Sequence, residues 1–407
     1  MTLSTPIISV SSLDEVKSAV TDAVADESRL EIIASGSKRA LGRQCAYDVT
    51  LDLSAMTGII DYQPEELVLT VRAGTPMAEV QAALAEARQM LAFEVPDYSH
   101  LLDTANAGTI GGVVATNLSG PRRLTAGAAR DYLLGFEAIS GRGEAFKSGG
   151  KVMKNVTGYD LSKLMTGSFG TLAVMDEITL KTLPRPETSC SLIVQVDDFA
   201  AATSKIASLF ATPHEPGSAA ILPAKLARQG GLHLSTDTGK VRASCVIVVR
   251  LEGIDISIAD RLANLQRLTG GDRLEATDSE ALWAKIRDVR LFSAPVRDVW
   301  KISCPPAAAA SVIDTIKASH DISYFADWAG GLIWMTGGTD TLGTDLRQAL
   351  AGFGGGFAML VRDSGTTRLV IPPFQPLPGP KLALHKRVKA AFDPLAVLNA
   401  GRMHDGI

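Results

Sequence analysis

Gly108, Gly111 and Gly112 fall within five residues of one another in NAGTIGGVVATNLSGPRR (Asn106–Arg123). Glycines so close together reach backbone angles closed to other residues, and with no side chain they let a ligand approach the main chain. Successive N–H groups in such a turn form a concave anion-binding nest. Thr109 and Ile110 lie inside the turn. Thr116 and Asn117 follow with polar side chains, and Gly120–Pro121 leads into Arg122 and Arg123. The chemistry on offer is the holding of an anion, not bond cleavage. The spacing G-x-x-G-G is not the dinucleotide fingerprint G-x-G-x-x-G. SGSKRALG, earlier in the chain, lacks the second glycine and the Lys-Ser/Thr of a phosphate-binding P-loop. A glycine-rich turn standing alone more often serves a tight bend than a ligand.

Three further stretches give this turn company. Ser35-Gly36-Ser37-Lys38 follows a short apolar run. KNVTGYDLSKLMTGSFGTL (Lys154–Leu172) places Asp160 at the start of a short helical pattern. Its Gly167, Gly170 and Thr171 then open a turn into a strand through Val174. FDPLAVLNAGRM (Phe392–Met403) ends with Asn399 and Arg402. Groups for acid–base or metal chemistry are sparse. The six histidines, His100, His214, His233, His320, His385 and His404, show no ligand-like spacing, and Cys45, Cys190, Cys245 and Cys304 form no CxxC pair. Trp283 and Arg287 sit one helical turn apart and could hold a carboxylate, but a core tryptophan beside a solvated arginine is the plainer reading.

These residues need elements to position them, and the pattern changes near residue 186. In the first part, Leu30–Ala34 and Leu67–Val71 read as strands. Thr75 is placed to cap a helix with Pro76 at its first position, and Met77, Val80, Leu84, Ala87 and Leu91 form its buried stripe. Tyr132–Ser140 and Glu144–Lys147 flank SGRG as a hairpin. Leu172–Val174 and Glu177–Leu183 read as two strands, and LPRPE (Leu183–Glu187) as a link. In the second part, strands are expected at Ser191–Val196, Ser244–Leu251, Asp298–Ser303 and Phe357–Val361, and a strand pair around DWAGGLIW. Helices are expected near Phe199–Phe210, Ile258–Leu268, Ala308–Ala318 and Thr341–Ala351. A last helix near Leu382–Ala391 precedes the tail. The class is α+β, with two βαβ-like halves in the second part.

Composition bounds the whole. With 407 residues, 46% hydrophobic and 21% charged, the chain has the make-up of a globular protein of at least two domains. A net charge of −4 gives no basic field for nucleic acid. No apolar run nears the roughly 18 residues of a spanning helix, and the N-terminus lacks a signal peptide's basic and apolar regions, so a cytoplasmic location is expected.

Taken in order, the four stretches resemble the FAD-binding family of p-cresol methylhydroxylase and vanillyl-alcohol oxidase. LDLSAMTGIIDYQPEELVLTVRAG and the LPRP exit add to the likeness. It implies a PCMH-type FAD-binding domain of two subdomains over residues 1–186, an α+β cap domain over 187–380, and a tail, 381–407, packing back on the FAD domain. It assigns cofactor contacts to Ser35–Lys38, to Gly108–Gly112 with Thr116, Asn117 and Gly120, to Gly167, Gly170, Thr171 and Val174, and to Asn399 and Arg402. Lys38 stands near where relatives with a covalent flavin carry histidine, so non-covalent FAD is implied. Within the family, SGSKRALGR, DWAGGLIWM and NAGRM are similar to the FAD-binding subunits of glycolate oxidases. That likeness implies oxidation of glycolate, a small 2-hydroxy acid, to glyoxylate. It also implies a second flavoprotein subunit and an iron–sulfur subunit as partners, with peripheral membrane association through them. The sequence departs from the pattern in Ala34-Ser35 before Gly36, in Phe169 where many relatives carry Glu, and in Ala400 where Pro is usual. ADWAGGLIWM lacks the histidines of the cap's metal motif. No catalytic residue is assigned and no metal is expected. The alternatives are a self-sufficient dehydrogenase of a 2-hydroxy acid such as D-lactate, and a structural subunit that has lost its flavin.

Overall fold

The computed structural model describes residues 5–150, 158–234, 244–292, 297–338, 341–365 and 367–407. Lys154–Thr157, the start of the third stretch, lies outside them. The described chain divides into two units. The first comprises Met1–Ser119, Gly127–Arg185 and Pro376–Ile407; the second comprises Gly120–Ala126 and Pro186–Gln375.

The first unit opens with a βαβ crossover. Strand β1 (Ile7–Ser9) leads to helix α1 (Leu13–Ala25) and then β2 (Leu30–Ile33), which pairs in parallel with β3 (Val49–Asp52); β3 lies between the other two. Ser12 caps α1 by accepting from the Glu15 N–H, and Val16, Ala19, Val20 and Ala23 give it one buried face. The chain's end completes this layer. The Leu30 N–H donates to the Val397 carbonyl at 2.7 Å, and the Asn399 N–H donates to the Leu30 carbonyl at 3.0 Å. Val397 and Leu398 thereby join the core formed by Val20, Leu51 and Met56.

The second layer of this unit is an antiparallel sheet in the order β4 (Ile59–Gln63), β5 (Val68–Arg72), β9 (Ala173–Lys181), β7 (Leu133–Ser140), β8 (Ala145–Gly149). Two-residue strands β6 (Gln89–Met90) and β10 (Leu183–Pro184) pair antiparallel. The hairpin expected around SGRG is therefore present as β7 and β8. The two strands expected on either side of Met175–Asp176 are one continuous strand, β9. A bulge opposite Glu137/Ala138 absorbs the break, and the Asp176 carboxylate there takes a hydrogen bond from Arg72. Helix α2 (Met77–Glu86) buries Met77, Val80 and Leu84, but its cap is Pro76, not Thr75. Thr75 is fully buried, and its hydroxyl is committed elsewhere: it donates to the Arg72 carbonyl at 2.7 Å and accepts from the Gly58 N–H at 3.0 Å. Two short helices, α3 (Ile110–Thr116) and α4 (Leu161–Met165), carry the other glycine-rich stretches, and Asp160 caps α4 through the Lys163 N–H.

The second unit is built from two β-α-β-β-α-β halves. The first runs β11 (Thr188–Val196), α5 (Phe199–Phe210), β12 (Ser218–Pro223), β13 (Cys245–Gly253), α6 (Asp255–Thr269) and β14 (Asp272–Leu274). After helix α7 (Ala276–Arg287) the second runs β15 (Asp298–Ser303), α8 (Ala309–Lys317), β16 (Ser323–Asp327), β17 (Leu332–Gly337), α9 (Leu342–Gly352) and β18 (Phe357–Arg362). Their strands form one eight-stranded sheet, β14-β11-β13-β12-β16-β17-β15-β18, joined through Ile221 opposite Ala326. Each half crosses over with a helix yet pairs its strands antiparallel, because a returning strand fills the gap each crossover leaves. Leu192, Ile206, Val249, Trp300, Ile313 and Leu346 share its core. Trp283 is a core residue here: its Nε1 donates to Ser191 Oγ at 2.8 Å and Arg250 stacks on its ring, while Arg287 pairs with Asp288.

Candidate functional site

A groove open to solvent runs across the first unit beside the end of β2. Ligand clefts of open α/β layers sit outside the carboxyl ends of parallel strands. Three main-chain turns and the returning tail form its walls.

The first turn is Ser35–Lys38. Gly36 holds φ +70, and the Arg39 N–H closes the turn on the Gly36 carbonyl at 3.0 Å. The second is the TIGG turn. Gly108 holds φ +93, and a Cβ there would sit 2.1 Å from Ser37 Oγ and 2.5 Å from Lys38 Nζ. A Cβ on Gly111 would stand 2.6 Å from the Ala73 carbonyl, so this glycine lets α3 rest against the end of β5. Thr109 caps α3, and the Thr116 hydroxyl donates to the Gly112 carbonyl at 2.6 Å. The third turn holds Gly170 at φ +70, where a Cβ would meet Asn399 Nδ2 at 2.7 Å.

Asn399 fastens these walls together. Its Oδ1 accepts from the Ile32 N–H at 2.9 Å, and its Nδ2 donates to the Phe169 carbonyl at 2.8 Å. Arg402 Nη2 donates to the Lys38 carbonyl at 2.7 Å. Lys38 Nζ in turn donates to Ser37 Oγ at 3.0 Å and to the Ala107 carbonyl. Burial pushes the Lys38 ammonium down to about 8, with Asp97 opposing, and burial likewise lowers the Arg402 guanidinium, against Tyr47 and Glu31.

The groove thus brings together Ser35, Gly36, Ser37, Lys38, Thr109, Gly111, Gly112, Thr116, Gly170, Val174, Asn399 and Arg402. Other expected positions are not among the lining residues. Gly108 packs on the first turn, Ile110 is core, and Thr171 donates its hydroxyl to the Ser168 carbonyl. Asn117, at φ +51, ends α3, and Gly167 donates its N–H to the Val114 carbonyl. Gly120 belongs to the second unit, where its carbonyl accepts from Trp328 Nε1 at 3.0 Å. The lining also includes Leu53, Ala73, Ala115 and Met175. They are small or apolar residues at the ends of elements, and no local motif marks such positions.

In the second unit, Arg122 grips Glu252 through Nε at 2.9 Å and Nη2 at 2.6 Å. At the position of the missing histidine motif, Asp327 caps the next turn through the Trp328 N–H. Trp328 (φ +50) and Ala329 (φ +57) both take left-handed angles. The guanidinium of Arg123 and the ammonium of Lys301 lie 4.6 and 5.4 Å from the Trp328 ring centroid. Burial and Arg123 push Lys301 down to about 8, with Asp327 opposing. Among the described residues, the carboxylates close enough together to share a cation are Glu137, Asp176 and Glu177 of the first unit. Arg72 and Lys147 already pair with them.

The description "FAD binding domain" belongs to the family model that matches residues 5–149. The glycolate oxidase subunit GlcE of Escherichia coli is 35% identical over 389 residues, 95% of each chain. The chain belongs to this FAD-binding family of glycolate oxidase subunits. A second family relative, the glycolate oxidase subunit GlcD of Bacillus subtilis, is 28% identical across 98% of this chain and 88% of that one. The fold is shared with substrate-bound p-cresol methylhydroxylase, at a TM-score of 0.69 and 16% identity over 98% and 88% of the two chains.

FAD is therefore the cofactor of this oxidoreductase family member, and the groove suits it. Gly36 and Gly112 in the lining leave backbone open to a ligand. Lys38 and Arg402, two partly or wholly buried cations, face a space that an anionic diphosphate would neutralise.

Proposed function

We propose that this chain is the FAD-carrying subunit of a multi-subunit glycolate oxidase. It would relay electrons from glycolate oxidation toward an iron–sulfur partner chain. The observation that carries the reading is the groove: its turns, its cations Lys38, Arg39 and Arg402, and the Asn399 clamp occur in a chain that a glycolate oxidase subunit matches over 95% of its length. Bound FAD would supply a two-electron acceptor that can pass electrons on one at a time. The chain's own residues bind and orient it. Gly36, Ser37, Lys38 and Gly112 would hold the diphosphate. Val174 and Ala173 would line the remainder of the groove, and Asn399 would keep the first and third turns in register. No histidine stands in the first turn, and on this reading the flavin would be held without a covalent bond.

Glycolate oxidation needs a group that takes the hydroxyl proton. The cap's DWAGG segment supplies Asp327 already engaged as a cap, and no histidine. On this reading the substrate is handled with the partner flavoprotein. A second reading, a self-sufficient 2-hydroxy-acid dehydrogenase, draws on one observation: Lys301 and Arg123 gather on Trp328, and a carboxylate could join two cations there.

The test is the absorbance spectrum of the purified chain followed by anaerobic glycolate. Flavin bands that persist until the partner subunits are added fit the electron-carrying subunit. Bands bleached by glycolate alone would favour the self-sufficient enzyme. Absence of flavin bands after adding FAD would leave a structural subunit and defeat both readings.

A further inference from the structure

The last helix, Gly379–Phe392, is turned the opposite way to most helices that pack on a globular unit. Such a helix ordinarily faces its apolar stripe inward. Here the one fully buried side chain is Lys389, while Leu384 is 50% exposed and Ala383, Ala390 and Ala391 also face water. Pro380, Ala383, Leu384, Arg387 and Ala391 recur at three- and four-residue steps and are all exposed, so they form one solvent-facing stripe. Four of the five are apolar, and Arg387 stands among them. The underside is firmly held: Lys389 donates to the Thr171 and Leu398 carbonyls, and Arg142 Nε donates to the Ala391 carbonyl at 3.2 Å. The stripe is therefore a preformed surface on an anchored element.

Its charge has one sign. Lys381 and Lys386 flank the stripe and are exposed as well. From Ser364 to Phe392 the sequence contains no Asp or Glu, in a chain that carries 44 of them and a net charge of −4. The carboxylates that follow are engaged elsewhere: Asp393 is buried against Lys389, and Asp405 lies 3.8 Å from Arg43. Among the described residues, Lys381, Lys386 and Arg387 make no ion pair.

We propose that this stripe is the docking face for an acid-bearing partner protein, one of the other subunits of the oxidase. The inference rests on reading this chain as part of a multi-subunit complex. Helices gripped by other proteins offer anchors at i, i+3, i+4 and i+7, and Pro380, Ala383, Leu384 and Arg387 supply that set. The alanines let a partner's backbone come close. An arginine is favoured at interface centres, where its planar fork takes a carboxylate through two hydrogen bonds. Lys381 and Lys386 then form a rim whose charge steers the encounter. A second copy of this chain fits poorly, because a twofold contact sets the basic face against itself with no acid to answer it. An anionic lipid surface also fits poorly: the stripe has one large apolar side chain and no aromatic one to enter the acyl boundary.

The experiment uses the full FAD-loaded chain with the purified flavoprotein and iron–sulfur partner subunits, and measures Kd by interferometry and stoichiometry by sedimentation. Wild type is expected to assemble, with an affinity that falls several-fold as added salt screens the rim. Arg387→Glu and Leu384→Glu should each weaken assembly about tenfold or more. Thermal midpoint and flavin content should stay at wild-type values, because both side chains face solvent and glutamate suits a helix. Lys225→Glu, at an exposed lysine of the second unit, should leave assembly unchanged. Folded variants that assemble with wild-type affinity would overturn the docking face and leave the multi-subunit reading standing. Equal weakening by Lys225→Glu would trace the effect to net charge and overturn the face too. A wild-type chain that holds FAD but binds neither partner defeats the multi-subunit reading and the face together. Two outcomes for the chain alone would reassign the stripe and overturn the partner protein. One is a dimer that Arg387→Glu dissociates. The other is wild type, but not Arg387→Glu, sedimenting with vesicles of phosphatidylglycerol and phosphatidylcholine.

Discussion

Asn399 holds two backbone groups, one on part-buried β2 and one in the buried third turn. Its side chain accepts from Ile32 and donates to Phe169 while its own backbone sits at φ +42. Asn399→Ala strands the buried Phe169 carbonyl, at about 1–3 kcal/mol, removes the partner of the part-buried Ile32 N–H, and keeps a left-handed angle that alanine tolerates less well. The expected outcome is a lower thermal midpoint and flavin lost on gel filtration. Unchanged FAD content at equal midpoint would show that the clamp is dispensable. Gly108→Ala acts by another route, since its Cβ would occupy the space of Ser37 Oγ and Lys38 Nζ. It should abolish FAD retention while secondary structure by circular dichroism persists. A titration test belongs at this scale too. Lys301 is pushed down to about 8 by burial and Arg123, whereas in an unfolded chain it stays charged to about 10.4. Between those values the unfolded chain binds more protons, so this group's contribution to stability rises with pH. Lys301→Met removes the effect. The mutant's advantage over wild type in urea unfolding should therefore shrink from pH 8 to pH 10; an advantage independent of pH would contradict the buried ammonium.

The C-terminal helix, Gly379–Phe392, is an element whose one fully buried residue is a lysine. Lys389 donates to the Thr171 and Leu398 carbonyls and to Asp393, and Asp393 accepts from the Val397 and Leu398 N–H groups. This network docks the tail that carries Asn399 and Arg402. Removing one partner of a buried pair costs about 3–5 kcal/mol, since the remaining charge is left uncompensated. Asp393→Ala is thus expected to release the tail, seen as faster hydrogen exchange at Val397–Arg402 and weaker FAD binding. Protection of the tail equal to wild type would refute the assignment. The sequence announced the tail through FDPLAVLNAGRM but not this attachment, because a lysine and an aspartate four residues apart look like a solvated helix pair. Thr75 failed as a cap for the same kind of reason: its local pattern was right, but Gly58, far off in sequence, claimed the hydroxyl. The glycines of the cradle were legible because positive φ and close approach leave a residue-type signature. Leu53, Ala73 and Met175 were not, since only tertiary packing brings them to the groove.

At the scale of the whole molecule, each unit has its own hydrophobic core, and the four tryptophans, Trp283, Trp300, Trp328 and Trp334, all belong to the second. The described lining of the groove belongs to the first. Ligand binding stabilises the state that binds, by about 2.7 kcal/mol at a hundredfold excess over Kd. Where two cores unfold separately, that gain stays with the unit holding the ligand. FAD should therefore slow hydrogen exchange in β2, α3, the Gly167–Leu172 turn and the tail. It should leave exchange in the eight-stranded sheet and the tryptophan-reported melting midpoint nearly unmoved. The same melt followed by flavin fluorescence should shift upward with FAD concentration. A tryptophan midpoint that rises in step with the flavin signal would mean instead that the two cores unfold as one cooperative body, so that loss of the cofactor would expose the second unit to unfolding as much as the first.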